Sequence, residues 1–513
     1  MRNLTIIAFL MATTSLASAA SNESFIGQIG ASNGAVVGQT NGNNKQATIQ
    51  AGKKNNAVTT QVGASSGSNL NQSGVGQFGA HNTAIVSQTN GNNTQGTLQV
   101  GVGNGAITTQ NTSKKAGTND SGIAQFGVNN GALVTQTSSS TSNANNAGTG
   151  GNNDSGLLQV GYGNTAIIGQ TSAGTGTGGN SSPARSGVEN NSTAIQVGGK
   201  NFAIVTQDGT RPGKNANAAS NDSFVGQFGW NNAAVVGQTG GNNAQGTLQF
   251  GKNNGATTSQ TATDFGSNNG SFTLQGGNGN NALTIQKTDG SAGLPSGYGS
   301  DNSAVTMQLG KGNTSVTTQN STGVGGFLVA GTGTENNAFT LQAGKDNWSV
   351  TSQSGVSLIP GSNNSVVAQF GVANKALVTQ TNGSNLQGTI QAGYDNSAIT
   401  SQSTNGLSLA PKQNASLTTQ AGAKNTAITT QSIANPLAAA ANGSLIAQVG
   451  YKNTAIVGQD TGPQPMIGAN LQATVQVGAY NSAVTTQTAS AAVSNTSVTA
   501  QFGSHNTAIT VQK

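Results

Sequence analysis

The chain contains no cysteine and very few charged or aromatic residues. Of its 513 residues, 6% are charged, 4% are aromatic and 33% are hydrophobic. The absence of cysteine excludes a disulfide framework and thiol chemistry. Large hydrophobic side chains are too scarce for an ordinary globular core, and the low charge argues against a disordered chain solvated by its charges. What remains is rich in Gly, Asn, Gln, Ser and Thr, a composition typical of cross-β assembly.

The N-terminus has the order of a secretory signal. Arg2 precedes an apolar run over residues 4–10, and small residues follow at 17–20. We expect residues 1–20 to be a signal peptide and residues 21–513 to form a single β-solenoid domain of an exported protein. No other apolar run approaches the ~18 residues that a membrane helix needs, so no transmembrane segment is expected in the mature chain. The net charge of +6 is spread without basic runs, so no specific nucleic acid is expected as a partner.

The pattern N-x5-Q-x-G-x-x-N-x5-Q occurs eighteen times between Asn22 and Gln512. An internal repeat of about 20 to 50 residues is typical of an array in which each unit stacks on its neighbours. The strict amides of the first two copies and of the last copy are Asn22, Gln28, Asn33, Gln39, Asn44, Gln50, Asn55, Gln61, Asn495, Gln501, Asn506 and Gln512. The glycines between the two segments include Gly30, Gly52, Gly79, Gly101 and Gly503.

Each repeat contains two seven-residue segments that run from Asn to Gln. Side chains alternate between the faces of a strand, so each Asn shares a face with the Gln six residues later. In the first copy this face also carries Ser24, Ile26 and Val37, and across all thirty-six segments it carries no charge and no aromatic ring. Charges such as Glu23 lie on the other face. We therefore expect the Asn–Gln face to point inward, which leaves aliphatic residues of the second segment, such as Ile85, outside.

The two connectors of each repeat differ in kind. The connector within a repeat always has four residues with Gly second, as in Ile29-Gly30-Ala31-Ser32. This constancy predicts a tight turn with a positive φ angle at the glycine. The connector between repeats varies from four to nineteen residues and holds all eight prolines. Proline cannot donate to a sheet ladder, so its confinement to this connector supports the strand assignment.

These features predict an all-β fold, a parallel in-register β-solenoid with two strands per coil. About eighteen coils would form two facing sheets, with an advance of about 4.8 Å per coil. A buried amide without a partner costs about 1–3 kcal/mol, and identical amides stacked in register avoid this cost by bonding from coil to coil. We expect the strict amides to form such ladders. No capping segment is expected beyond Asn22 or Gln512, and an uncapped stack grows end to end.

The repeats resemble curlin repeats, for example in the run from Ser24 to Gln39, SFIGQIGASNGAVVGQ. Curlin repeats belong to the curli family of bacterial functional amyloids. Gln28, Gly30, Asn33 and Gln39 match the core positions of that family, although each copy here opens with Asn where the family has Ser. The resemblance implies a secreted subunit of a curli fibre, a pilus-like structure on the bacterial surface that serves biofilm formation and adhesion. It also implies partners, namely further copies of the chain, an outer-membrane secretion pore, a nucleator and chaperones, and no cofactor.

The alternatives to a fibre subunit are a discrete β-solenoid binding protein and an enzyme. A discrete secreted β-solenoid could serve as a binding protein or adhesin through long connectors such as 137–152 and 171–189. Thr-Thr-Gln endings such as residues 108–110 are typical of the threonine arrays of ice-binding solenoids, but Gly or Ser replaces the outer Thr in other copies. An enzyme is not expected, because His81 and His505 occupy equivalent turns many coils apart and the acidic residues are scattered singly. No catalytic, cofactor-binding or metal site is therefore assigned.

Overall fold

A computed structural model describes most of the chain after residue 20. The described ranges are 21–63, 70–113, 117–140, 151–174, 189–210, 220–263, 268–289, 301–323, 334–357, 361–404, 412–434, 439–462, 468–489 and 494–513. The expected signal peptide and all eight prolines lie outside these ranges. Within them the regular elements are all β-strands. The described ranges therefore hold no helix of the length and apolarity that a membrane span requires.

The chain divides into two compact units, one up to Asn253 and one from Asn254. The strands of the first unit are β1 (Asn22–Ala31), β2 (Gly34–Thr40), β3 (Asn43–Lys53), β4 (Asn56–Gly63), β5 (Leu70–Ala80), β6 (Thr83–Asn90), β7 (Asn93–Val102), β8 (Gly105–Thr112), β9 (Asn119–Val128), β10 (Gly131–Ser140), β11 (Asn153–Tyr162), β12 (Thr165–Gly174), β13 (Glu189–Gly199), β14 (Phe202–Thr210), β15 (Ser220–Trp230), β16 (Ala233–Gly240) and β17 (Asn243–Lys252).

The strands of the second unit follow the same alternation of first and second segments. They are β18 (Gly255–Ala262), β19 (Asn268–Asn278), β20 (Asn281–Asp289), β21 (Asp301–Lys311), β22 (Thr314–Gly323), β23 (Thr334–Lys345), β24 (Trp348–Ser357), β25 (Gly361–Val372), β26 (Lys375–Thr381), β27 (Asn385–Tyr394), β28 (Ser397–Thr404), β29 (Lys412–Ala423), β30 (Thr426–Ile433), β31 (Ala440–Tyr451), β32 (Thr454–Thr461), β33 (Gly468–Ala479), β34 (Ser482–Ala489), β35 (Ser494–Ser504) and β36 (Thr507–Gln512).

In each unit the odd-numbered strands form one parallel sheet, the first sheet, and the even-numbered strands form another, the second sheet. In the first unit β1 pairs with β3 and β2 with β4, and this order continues strand by strand. The pairing is in register, so that Asn22 lies beside Asn44, Gln28 beside Gln50 and Gly30 beside Gly52. The second unit is built in the same way, as in the pairs β19–β21 and β18–β20. The predicted parallel in-register solenoid with two strands per coil is confirmed in each unit.

The Asn–Gln face of every fully flanked strand points into the space between the two sheets. In β7 the side chains of Asn93, Gln95, Thr97 and Gln99 are buried, and the residues between them are more exposed. The second sheet contributes small apolar side chains to the same interior, such as Ala106 in β8. Alternation with a period of two is therefore visible directly in the burial, as expected for a strand with one buried face.

Strands that precede longer connectors extend beyond the predicted segments. β10 and β12 continue four residues past Gln136 and Gln170, to Ser140 and Gly174. The residue two positions after the Gln then adds a further interior column of small side chains, which includes Thr112, Ser138, Ser172, Ala262 and Thr288. The prediction ended each strand at its Gln and missed this column, although the small residue at the second position after Gln is visible in the sequence.

Candidate functional site

The glycine turns bring successive coils into close contact. Gly30, Gly52, Gly79, Gly101 and Gly503 have φ angles of 115°, 128°, 114°, 127° and 97°, as the turn prediction required. A Cβ atom at Gly101 would collide with the carbonyl oxygen of Gly127 in the next coil. The glycine is therefore needed for both its backbone angle and the spacing between coils.

A second residue of each turn also has a left-handed backbone. This is the residue immediately before the second Asn, with φ angles of 57° at Ser32, 55° at Lys54 and 58° at His81. This requirement was not predicted, because the position holds many residue types. Asn, Asp and Gly are frequent there, which is the expected preference for a left-handed residue and was the available signal.

The first Asn of each repeat forms a ladder along the first sheet. The side-chain amide of Asn44 donates to Oδ1 of Asn22 at 2.8 Å, and Asn71 donates to Asn44 at 2.9 Å. Asn93 continues the ladder to Asn71 at 2.9 Å and also donates to the carbonyl oxygen of Thr89. Donation to a backbone carbonyl identifies the nitrogen of the amide, so the direction of the ladder is defined.

The second Asn of each repeat forms another ladder beside the glycine turns. Asn82 uses both its backbone N–H and its side-chain amide to donate to Oδ1 of Asn55, at 3.2 and 3.1 Å. The same amide donates to the carbonyl oxygen of Gly101 in the following coil at 3.0 Å. One Asn therefore satisfies its own polar atoms and two backbone groups of the turn, which explains why no other residue type occupies the position.

The two Gln ladders connect successive coils and also cross the interior. The amide of Gln77 donates to Oε1 of Gln99 at 2.8 Å and to the carbonyl oxygen of Asn56 at 2.9 Å. Asn56 belongs to the facing sheet. In the second sheet Gln88 donates to Gln110 at 2.8 Å and to the carbonyl oxygen of Gln72 at 2.7 Å. Each Gln therefore holds the two sheets together as well as neighbouring coils.

The Asn and Gln ladders run in opposite directions. Each Asn amide donates toward the preceding coil, as Asn44 does to Asn22, whereas each Gln amide donates toward the following coil, as Gln28 does to Gln50. The same rule holds at the other end of the chain, where Asn495 donates to Asn470 and Gln476 donates to Gln501. A coil of either unit therefore has chemically different upper and lower edges.

The first and last described coils hold the predicted ladder residues at the two ends of the described stack. Asn22 and Gln28 are exposed, whereas Asn44 and Gln50 in the next coil are buried. No described residue donates to Oε1 of Gln28 or Gln39 or accepts from Nδ2 of Asn22. At the other end, Asn495 and Asn506 donate to Asn470 and Asn481, and Gln501 and Gln512 accept from Gln476 and Gln487. Asn33, Asn55 and Gln61 take part in the ladders of the first two coils.

Some coils bury an additional amide that does not form a continuous ladder. Ser73 donates its hydroxyl to Oε1 of Gln95 in the next coil, and the amide of Gln95 donates to Thr97 in its own strand. The same arrangement links Ser24, Gln46 and Thr48. Inward-facing Thr residues of the second sheet are not all satisfied, since the buried hydroxyl of Thr108 has no hydrogen-bond partner.

Charge lies almost entirely outside the solenoid interior. Lys412, which precedes its repeat by two residues, is the one charged side chain among the buried residues of the described ranges, and burial lowers its pKa.

On the outer face of the first sheet, Asp120 and Asp154 occupy the same position in neighbouring coils. Burial raises the pKa of Asp120 against the opposing effect of a hydrogen bond with Thr94. Burial, and then the charge of Asp120, raise the pKa of Asp154.

The two histidines lie where the repeat analysis placed them, in exposed turns with positive φ at His81 and His505. Within the described ranges no group of three or more His, Asp or Glu side chains is arranged to hold a metal ion. The interior amides are all used in hydrogen bonds of the stack, so the chemistry available to this site is further stacking.

No protein-family model matches the chain, and no curated protein shows significant similarity to it.

Proposed function

We propose that the chain is a secreted structural subunit that polymerises into extracellular amyloid fibres of the curli type. The observation that carries this proposal is the direction of the four amide ladders, which gives the first and last described coils complementary edges. The edge at Asn22 and Gln28 offers Asn amide donors and Gln carbonyl acceptors. The edge at Asn495 and Gln501 offers Asn carbonyl acceptors and Gln amide donors.

These two edges are complementary in all four ladders. When the first coil of one copy lies on the last coil of another, Asn22 is placed to donate to Asn495, and Gln501 is placed to donate to Gln28. In the other two ladders, Asn33 is placed to donate to Asn506, and Gln512 is placed to donate to Gln39. The reversed arrangement would make the contacting strands antiparallel and place Asn beside Gln, so the parallel ladders of identical amides would not continue. Growth is therefore head to tail.

The curlin-like repeat supports the biological setting of the proposal. A fibre of this family lies at the bacterial surface, contributes to the biofilm matrix and adhesion, and depends on a secretion pore, a nucleator and chaperones. The low charge of the repeats is compatible with close stacking of many copies. No catalytic residue or cofactor enters the proposal.

Purified chain comprising residues 21–513 tests the proposal. We expect it to convert into unbranched filaments that are rich in β-structure and give reflections near ~4.8 Å and ~10 Å. Preformed filaments should remove any delay in conversion, because they supply open edges. A chain that stays monodisperse at high concentration, with and without such seeds, would instead support a discrete β-solenoid binding protein.

A further inference from the structure

The outer face of the second sheet in the first unit carries a continuous column of aliphatic side chains. We call it the aliphatic ridge, and it consists of Val36, Val58, Ile85, Ile107, Leu133, Ile167, Ile204 and Val235. All eight coils of this sheet supply an aliphatic residue, and seven of the eight are β-branched. Ile85 and Ile107 remain 38% and 42% exposed although each stacks on its neighbours. No described residue of the first unit covers the ridge.

Strand formation does not require this ridge. The outward positions on either side of it in the same strands hold mainly small residues, such as Gly105 and Thr109 around Ile107. If outward positions were selected only for strand propensity, aliphatic residues would be distributed over all three columns. Their confinement to the central column produces a raised stripe between two lower columns.

The two outer faces of the first unit differ in charge. The outer face of the first sheet carries Glu23, Lys45, Asp120, Asp154 and Asp222, so packing another surface against it would bury charges. The ridge and the columns on both sides of it carry no charge in β2 to β16. Asp208 of β14, one column farther out, is the one charged residue of these even-numbered strands, so this face is the one that suits a dry contact.

We propose that the aliphatic ridge is the contact by which a second copy of this chain pairs laterally, face to face. The ridge of one copy lies in the small-residue column of the other, as in the interdigitated side chains of packed sheets about 10 Å apart. Eight strands of seven residues present about 900 Å² of flat sheet. This is close to the ~800 Å² per partner of a stable protein interface. The ridge of a second copy has the same length, the same spacing between strands and the same lack of charge.

The inference goes beyond polymerisation, because lateral pairing uses a side of the solenoid and leaves both ladder edges open. Under the proposed function, paired stacks form a filament two solenoids thick. Without polymerisation, the same contact would produce a soluble dimer. An experiment can therefore refute polymerisation without refuting lateral pairing, and the reverse.

The test compares the full mature chain with a ridge variant that carries Ile85→Thr, Ile107→Thr, Ile167→Thr and Ile204→Thr. Threonine retains the β-branch, and Thr257 occupies the equivalent position in the second unit, so the strands are expected to persist. The matched control makes the same change at four outward aliphatic positions of the first sheet, Ile49, Leu98, Leu158 and Ile195. Circular dichroism verifies strand content in all three proteins.

The readout is mass per unit length of the filaments, measured by scanning transmission electron microscopy. We expect the unmodified chain and the control to have twice the value of the ridge variant. Lateral pairing would be overturned if the unmodified chain had the mass per unit length of a single solenoid, or if the ridge variant showed no decrease in this quantity. If no filaments form, the polymerisation proposal fails, and sedimentation then measures the oligomeric state of the soluble chain. A dimer of the unmodified chain that is monomeric in the ridge variant supports lateral pairing, and a monomeric unmodified chain refutes it.

Discussion

Gln99 donates its side-chain amide to Oε1 of Gln125, 2.8 Å away in the next coil of the first sheet. The same nitrogen donates to the carbonyl oxygens of Thr83 and Asn104 at 3.0 Å, and Oε1 of Gln99 accepts from Gln77. One buried side chain thus unites three coils and both sheets. Because the ladder Gln and Asn residues of fully flanked coils have comparable sets of partners, register and sheet separation are controlled by the same residues.

The change Gln99→Glu should disrupt the coils around β7. A carboxylate at this site would lose the three donations of Gln99 and place negative charge against three carbonyl oxygens in a buried site. We expect a local cost of at least about 3 kcal/mol. Hydrogen exchange is the suitable measurement, because a repeat array opens locally as well as globally. Backbone amides of β5, β7 and β9 should lose protection, whereas Gln72→Glu, on the outer face of β5, should leave them protected.

Gly101→Ala should be far more damaging than substitution of a glycine inside a strand of the same unit. The new Cβ would collide with the carbonyl oxygen of Gly127, and the φ angle of 127° is unfavourable for alanine. We expect slower filament formation and a lower urea midpoint. Gly122→Ala is the matched control, because a Cβ there meets no atom within 4 Å and the residue lies in a strand. Equal effects of the two changes would contradict the role assigned to the turn glycine.

Thr108→Val should stabilise the solenoid. The buried hydroxyl of Thr108 has no hydrogen-bond partner, and the neighbouring coils place Val86 and Val134 at the same position. Removal of an unsatisfied buried hydroxyl at nearly constant volume should gain about 1 kcal/mol. The urea midpoint and the hydrogen exchange of β8 measure the change. Thr109→Val, at the adjacent exposed position, controls for the strand propensity of valine and should produce a smaller gain.

The sequence predicted the solenoid because its constraints repeat. Asn22 and Gln28 share a face, a glycine occurs at one fixed place, and proline is confined to one connector, so alternation and turn chemistry suffice to define the coil. The direction of each ladder could not be predicted, since it depends on which backbone carbonyls lie within reach of the amides. Gln77, for example, reaches Asn56 only because the facing strand β4 begins beside it. The strand extensions and the buried Lys412 lie outside the strict segments, where the repeat supplies no constraint.

Acidification should stabilise the coils around β9 and β11. The raised pKa values of Asp120 and Asp154 mean that the folded state binds protons more tightly than the unfolded state. The free energy of unfolding therefore falls as pH rises from about 3.9, the ordinary pKa of an aspartate, through the raised values, and it increases again on acidification. Urea unfolding between about pH 3 and pH 7 measures this dependence. Asp154→Asn should flatten it and raise stability at neutral pH.

Thr94→Val provides the complementary test at the same pair. The hydrogen bond from Thr94 favours the ionised form of Asp120, so its removal should raise the pKa of Asp120 further. The loss of stability at neutral pH should then grow, and the pH dependence should steepen. If Thr94→Val and Asp154→Asn changed the profile in the same direction, the stacked carboxyl groups would not be its source.

Substitution at the last coil should slow the addition of copies without preventing the fold of the chain. In Gln501→Glu with Gln512→Glu, the carboxylates can still accept from Gln476 and Gln487, but they lose their donations to the carbonyl oxygens of Ser482 and Thr496. They also cannot donate to Gln28 and Gln39 of an incoming copy. We expect elongation from seeds to slow at least ten-fold, the equivalent of about 1.4 kcal/mol. Thioflavin fluorescence with a fixed mass of sonicated seeds measures the rate. An equal number of acidic residues placed in the connector at 141–150 is the control, and equal slowing by both variants would refute growth through the end ladders.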